Sequence, residues 1–482
     1  MRKLLIVFMA MSVLACVKYR PEAESSAFPP AVQVIFTNQC ATAGCHNTKS
    51  AANAGGLDLS SWESLFRGTD NGACVIPFSP SQSSLMQFVN TYADLGLTHT
   101  PSMPLNLPAL SRNQVLTMKQ WIESGCPNAR GEIPFASQPA TRPKAYLTNQ
   151  GCDIVAVIDL ATGLVMRYVK VGHEESLIEL PHNIKVSPDG KYWYVCFANG
   201  SYLQQYDATT DTLVKEVNIS AGAWNVIRLS DDGKRAFVSD LSSNGRLAEV
   251  NLQTMSLKQM WSSGLFSNPH GIAYSLTGDT VFVTAQYGNM LYRIIPSIPQ
   301  VDQLSLQADT APVLTAKLLD PHEILRSPDG SKYFITCQSS NELRVLDAAA
   351  DTVTHIIPLG KYPLEMALSM KHHCLYIACQ EDDNTLYPFF KGSIYVVDLN
   401  SLSVIHKIYE TFYQPHGIAV DEDRDLLYVS SRNANPAGPA PHHISECGGR
   451  NGYFHVIDCN TWQTVIRNAE VSVDPYSMDI RK

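Results

Sequence analysis

The sequence predicts a small helical N-terminal domain followed by a larger all-β domain built from seven copies of one four-stranded unit. Three observations predict it. Two cysteines and a histidine stand together in Cys40-Ala-Thr-Ala-Gly-Cys45-His46, ahead of an amphipathic stretch from Asn113 to Ser124. Beyond residue 140 the chain repeats itself with a period of about fifty residues, the mark of stacked structural repeats. Within that repeat the segments SPDGK, SDDGK, SLTGD and SPDGS recur, each placing glycine where a hairpin needs positive φ. A β-sandwich with as many strands would not explain the period.

Composition narrows the class. Of 482 residues, 45% are hydrophobic and 17% charged, which is globular and neither disordered nor polytopic-membrane. The net charge of -9 comes with no long basic run, so a phosphate-neutralising surface is not expected and nucleic acid is excluded as a partner. The 28 glycines and 28 prolines are spread along the chain and favour short elements joined by turns, which excludes an all-α protein.

Residues 1–16 read as a signal peptide: Arg2 and Lys3 precede an apolar run from Leu4 to Leu14, shorter than the ~20 residues a membrane-spanning helix needs. The ending Val13-Leu14-Ala15-Cys16 resembles a bacterial lipobox, which implies that Cys16 is lipidated and becomes the first residue of the mature chain. Leu14 stands where that motif carries a small residue, and cleavage by the ordinary signal peptidase is the alternative. Either route exports the protein, with contact to the membrane through a lipid anchor only. Val17 is not the acidic residue that retains lipoproteins at the inner membrane, so a periplasm-facing, outer-membrane location is expected. Residues 17–27 form a linker.

Export permits disulfides. Setting aside Cys16, Cys40 and Cys45 leaves nine of the 12 cysteines, an odd number. Cys74 and Cys126, in one small domain, are the expected bridge, and Cys374 and Cys379, in one strand-like run, read as buried thiols.

The first domain, 28–135, carries the chemistry. Two thiols followed at once by an imidazole are what covalent haem attachment requires, because the thiols add to the two vinyl groups and the imidazole meets the iron. Here four residues separate the cysteines, where two are usual, and by itself the run leaves zinc or a disulfide open. Downstream, GLDLSSWESL (56–65), PSQSSLM (80–86), Met103-Pro104 and a helix that Ser111 caps and Gly125 stops follow in order. This succession resembles bacterial c-type cytochrome domains with the wider cysteine spacing, over about one hundred residues. The resemblance implies covalent haem c on Cys40 and Cys45, His46 as proximal ligand and Met103 as distal ligand. A thioether there suits an electron-transfer centre. His99, in the same loop, is the competing ligand and Met118 another sulfur.

In the second domain, 140–482, the unit begins Pro181-His-Asn-Ile and recurs from Ala223, Pro269, Pro321, Pro363, Pro415 and Pro475. Each unit reads as four short strands, one blade of a β-propeller. The last start has room for one strand, and the missing three are found in 144–171, so the two ends share a blade and close the ring without exposed edges. The pattern resembles the YVTN family of seven-bladed propellers, over about 340 residues, which speaks to fold and hardly to function.

The repeat puts His182, Trp224, His270, His322, Leu364, His416 and Tyr476 in a ring at the channel mouth. Two long insertions, 380–391 and 432–453, rise on the same face, and the second carries His442, His443 and Cys447. One reading makes His182, His270, His322 and His416 a copper or iron site, with Glu323, Glu365 and Asp474 as acceptors for the second ring nitrogens. The other makes Pro-His a blade-closing device with each imidazole bonded to a neighbouring carbonyl. Nitrous oxide reductase is similar in joining a seven-bladed propeller, a histidine ring and an electron-transfer domain, but its ring is all histidine, and its copper cluster is not implied here. The nitrite reductase that joins a cytochrome c domain to a propeller is similar in its domain logic, with eight blades.

These readings give an exported haem c protein for electron transfer, an oxidoreductase if the propeller holds a site for a small-molecule substrate or a redox partner. A pure protein- or glycan-recognition propeller, with the haem as relay, is the alternative. The anchor has a direct test: the wild-type chain is expected in the detergent phase on partitioning and Cys16→Ser in the aqueous phase, and a wild-type chain released freely on lysis leaves export without lipidation.

Overall fold

A computed structural model describes residues 27–298, 300–465 and 468–482. The signal peptide with Cys16, and nearly all of the linker, lie outside the described residues.

Among the described residues the N-terminal part has four α-helices: α1 (Pro30–Ile35), α2 (Trp62–Leu65), α3 (Ser84–Val89) and α4 (Arg112–Glu123). Pro30 opens α1, where its missing N–H costs nothing. In α4 the Ser111 side chain accepts from Gln114 N and the Gln114 side chain reaches back to the Ser111 N–H, a reciprocal cap. Gly125 (φ 90°) ends it, and no other residue fits there: a Cβ would lie 2.5 Å from the Phe78 ring. The buried face of α4 meets α1 through Trp121, whose ring stands edge-on to Phe28 and Phe36 at 5.9 and 6.1 Å.

Beyond it, 28 strands form seven antiparallel four-stranded sheets. The inner strands are Pro475–Arg481, Pro181–Val186, Trp224–Leu229, Pro269–Tyr274, Pro321–Arg326, Pro363–Ser369 and Pro415–Asp421, in blades one to seven, and each contacts the next around a closed ring. The repeat starts seen in the sequence are these inner strands. Blade one joins the two ends of the repeat, with Pro475–Arg481 paired antiparallel to Lys144–Asn149 (Lys144 opposite Arg481, Leu147 opposite Met478).

The recurrent turn works through its aspartate. In SPDGK, Asp189 accepts from Ser187 Oγ at 2.7 Å and Lys191 N at 3.1 Å while Gly190 takes φ 68°, and the same ties recur at Asp232 and Asp329.

What fastens blade to blade is a hydroxyl on the second strand. Every inner strand slips register against its neighbour just after its first residue, which leaves the next backbone groups without ladder partners. Thr336 Oγ1 accepts the freed Glu323 N–H at 3.1 Å and donates to the Leu364 carbonyl of the following blade at 2.8 Å. Thr284 does so between Gly271 and His322, Ser430 between Gly417 and Tyr476, and Thr148 between Ser477 and His182. Ser239 donates to the His270 carbonyl at 2.8 Å. At the two remaining junctions this position is Cys196, whose thiol faces the Asn183 carbonyl at 3.7 Å, and Ala378.

The helical part seats on blade seven. Asn71 O accepts from Glu470 N at 2.9 Å, and Gln87 donates to Ile444 O at 2.7 Å and accepts from Ile444 N at 3.3 Å. Ile76 enters a core shared with Leu147, Tyr428 and Phe454. Because Thr336 serves two buried backbone groups, Thr336→Val, equal in shape but without the hydroxyl, is expected to cost about 1–3 kcal/mol for the groups left unpaired. Denaturant unfolding of the full chain checks it; an unchanged midpoint removes the hydroxyl from the account of ring closure.

Candidate functional site

The cysteine–histidine run follows directly on α1. A single π-turn, Phe36–Cys40, continues that helix and delivers Cys40 buried against the core. The next residues fold back: Cys45 N donates to Thr42 O at 3.1 Å, Gly44 takes φ 82°, and His46 N returns to Cys40 O at 3.1 Å. The four intervening residues thus make one turn that brings the second thiol back beside the first. Burial, and Cys45 close by, push the Cys40 thiol up to about 12.

His46 is held from behind. Its carbonyl accepts Leu59 N at 2.9 Å, and the carbonyls of Leu57 and Ala54 approach its ring, while its Nδ1 is buried without a hydrogen-bond partner. A proton on the nitrogen facing those carbonyls leaves the other nitrogen free to coordinate, as metal-ligating histidines are arranged.

Cys40, Cys45 and His46 line one cavity of 420 Å³. Its walls are largely apolar, with Leu59, Leu85, Phe88 and Val89 among them, and Met103 lines it as well. Met103 N donates to Phe88 O at 2.7 Å, which anchors its loop to α3. His99 packs on the Phe88 ring at 4.3 Å, and Phe88 forms the cavity wall there. Met118 is buried in the core under α4. Two thiols, an imidazole and a thioether around one apolar cavity are the donor set of a covalently bound haem with one nitrogen and one sulfur ligand, and the residues present fit that group.

Two expectations are corrected here. Cys74 and Cys126 are buried free thiols, and the disulfide is Cys152–Cys447, spanning 295 residues between blade one and the insertion of blade seven. Cys374 and Cys379 are buried free thiols. The insertion, 432–450 between its flanking strands, does rise from the second strand of blade seven, but its histidines do not serve the channel ring: His442 and His443 line the cavity of His46 and Met103. Phe88 stacks against His442 at 5.1 Å. Glu470, buried in the outer strand of the same blade, accepts from the backbone N of His442 (2.7 Å) and of His443 (3.3 Å) and from Asn451 Nδ2 (2.8 Å). The His-His pair is visible in the sequence; its destination depends on where one domain rests on another.

The ring residues stand at the predicted place, paired around the channel. His270 and His322 lie 4.0 Å apart between ring centres, His416 and Tyr476 3.7 Å, and His182 and Tyr476 4.2 Å. His270 Nδ1 donates to the His322 carbonyl at 3.1 Å and His416 Nδ1 to the Tyr476 carbonyl at 3.2 Å. Those two bonds fit the blade-closing arrangement, whereas Nδ1 of His182 and of His322 is buried without a hydrogen-bond partner, and burial holds all four imidazoles neutral, His182 at about 3 and His270 at about 4. Among the described residues no group of three or more His, Cys, Asp or Glu is arranged to hold a metal ion. Of the acceptors expected beside the ring, Glu323 pairs with Arg228 at 2.9 Å and Asp474 with Arg432 at 2.7 Å.

Residues 43–97 match a family model described as Planctomycete cytochrome C. That span takes in Cys45 and His46; Cys40 precedes it and Met103 follows it. No curated protein matches the chain. The periplasmic gluconolactonase of Pseudomonas aeruginosa is 17% identical with a TM-score of 0.53, covering 70% of this chain and 99% of that one. A functionally unknown protein from Desulfotomaculum acetoxidans is 11% identical with a TM-score of 0.52, covering 70% and 98%. Hydrazine synthase of Kuenenia stuttgartiensis aligns over 64% of this chain and 90% of that chain at 16% identity and a TM-score of 0.47. At such identities the first two likenesses speak to fold alone, and nothing is drawn from the third. The chain is a seven-bladed β-propeller preceded by a small helical region that matches a cytochrome c family.

Proposed function

We propose that this is an exported haem c protein that moves single electrons, with the propeller as the platform for its redox partner or substrate. The observation that carries the reading is the meeting of Cys40, Cys45, His46 and Met103 around one apolar cavity. The cytochrome c match over residues 43–97 supports it independently. Bound there, a haem supplies one-electron chemistry, and the protein sets its potential and orientation.

The residues divide the work. Cys40 and Cys45 would fix the group through thioethers, His46 would coordinate the iron with its ring set by the carbonyls behind it, and Met103 would offer its thioether sulfur as the second ligand. The leucine and phenylalanine walls exclude water, which disfavours the more highly charged oxidised state and, with the thioether, raises the potential. Leu105 and Leu107 line the cavity while about half of each is exposed (52% and 50%), and they offer an apolar contact through which a partner approaches the haem edge. The signal sequence supports export, and Cys16 the lipid anchor. A recognition propeller with the haem as relay is favoured by Leu386 and Phe389, 66% and 87% exposed on the insertion of blade six.

A pyridine haemochrome spectrum of the denatured, purified protein tests the attachment. Wild type is expected to keep its haem through acid-acetone extraction, and Cys40→Ala with Cys45→Ala to lose it. Met103→Ala is expected to lose the sulfur-to-iron band at the red end of the spectrum. Wild-type protein that yields all its haem to acid-acetone overturns the assignment.

A further inference from the structure

The insertion of blade seven is the longest loop of the propeller, and a loop of that length within a compact fold calls for a purpose. It is strongly tied. Cys447 is bridged to Cys152, Ser445 Oγ donates to Asn451 Oδ1 at 2.7 Å, and Asn451 Nδ2 donates to the His443 carbonyl at 3.0 Å. Glu470 holds the backbone of both histidines, and the Gln87–Ile444 pair staples the loop to α3. These ties fall on residues 442–447, and those on 442–445 hold the backbone that carries the two imidazoles lining the cavity.

Of the two, His443 is built as a ligand. Its Nδ1 lies 3.0 Å from Glu470 Oε1, off the ideal hydrogen-bond line, and its side chain is 13% exposed. A carboxylate beside one ring nitrogen keeps the proton there and leaves Nε2 with its lone pair, the orientation found behind metal-bound histidines. The second observation is Glu470 itself. It is 4% exposed, and its two carboxyl oxygens accept from His442 N, His443 N and Asn451 Nδ2 while Oε1 also lies against the His443 ring, so one buried group sets both the backbone and the ring of this residue.

We propose that the haem pocket is built by both domains, and that His443, which lines the same cavity as Met103, is a second base that would take the iron when the Met103 thioether leaves it. The exchange breaks one iron–sulfur bond and forms one iron–nitrogen bond to Nε2. No electron is transferred in it, the iron keeps its oxidation state, and the His443 Nδ1 proton stays on the side of Glu470. The consequence is a haem whose distal ligand is supplied by its own domain or by the propeller, so that whatever displaces the Met103 loop changes the ligand field without opening the iron to solvent. This rests on the haem assignment above.

The test uses the full chain with its covalent haem and reads the spin state of the ferric form by absorption and electron paramagnetic resonance. Met103→Ala is expected to remain low-spin with two nitrogen ligands. Met103→Ala with His443→Ala is expected to become high-spin, and added imidazole to return it to low-spin. His443→Gln in the Met103→Ala background, which keeps a polar group beside Glu470, is expected to be high-spin too, and guards against a loosened loop. A high-spin Met103→Ala protein, or a double variant that stays low-spin through His99 or His442, overturns the proposal while leaving the haem in place. Wild-type protein without covalent haem fails the assignment itself.

Discussion

Much of this structure depends on a second-strand hydroxyl that five of the seven blades carry: Thr148, Ser239, Thr284, Thr336 and Ser430. The register slip after the first inner-strand residue strips the backbone of its ladder partners at the place where seven strands crowd toward an axis. Thr284, Thr336 and Ser430 repair it, each accepting the orphaned N–H of its own blade and donating to the carbonyl of the next. A buried N–H or C=O left unpaired would cost about 1–3 kcal/mol, so the repair and the closure of the ring are one interaction. It acts on the carbonyl of the ring residue and makes no demand on the side chain, which explains why histidine, tryptophan, leucine and tyrosine can all occupy the ring.

The ring histidines follow from that geometry. The carbonyls of His182, His270 and His322 receive a hydroxyl from the preceding blade, burial drives all four imidazoles neutral, and His270 and His416 reach the next ring residue's carbonyl through Nδ1. Four imidazoles in one ring suggest a metal to a reader of the sequence. His270 and His416 donate to the next carbonyl in the manner of a blade-closing device, while Nδ1 of His182 and of His322 is buried without a hydrogen-bond partner.

Local chemistry was legible in the sequence and long-range placement was not. The SPDGK turns, the Ser111 cap, the Gly125 stop and the strand shared between the chain ends could all be read, because each is decided within a few residues or by the period of the repeat. The second-strand hydroxyl was in plain sight in Tyr146-Leu147-Thr148-Asn149 and its counterparts, but its partner lies in the next blade. Cys152–Cys447 and the reach of His442 and His443 into the cavity lay beyond reading for a stronger reason. The disulfide depends on where the blade-seven insertion meets blade one, and the reach of the two histidines on how the helical domain rests on blade seven, which is set by scattered contacts, Asn71 with Glu470 and Gln87 with Ile444, that share no pattern.

The rigid ring and the small domain are therefore coupled through blade seven. Its outer strand carries Glu470, whose N–H grips Asn71 of the helical domain while its carboxylate grips the insertion, so a single residue fixes the helical domain, the loop and the orientation of His443 at once. A small helical domain of this kind has a thin core and would gain stability from any wall it can share. Here the wall it shares also completes its cavity. The propeller, whose strands are locked to one another around the full circle, is a frame against which a ligand position can be held, and the disulfide to blade one ties the loop to that frame at a second point. The division of labour follows: the helical domain lines the cavity with Cys40, Cys45, His46 and Met103, and the propeller lines it with His442 and His443.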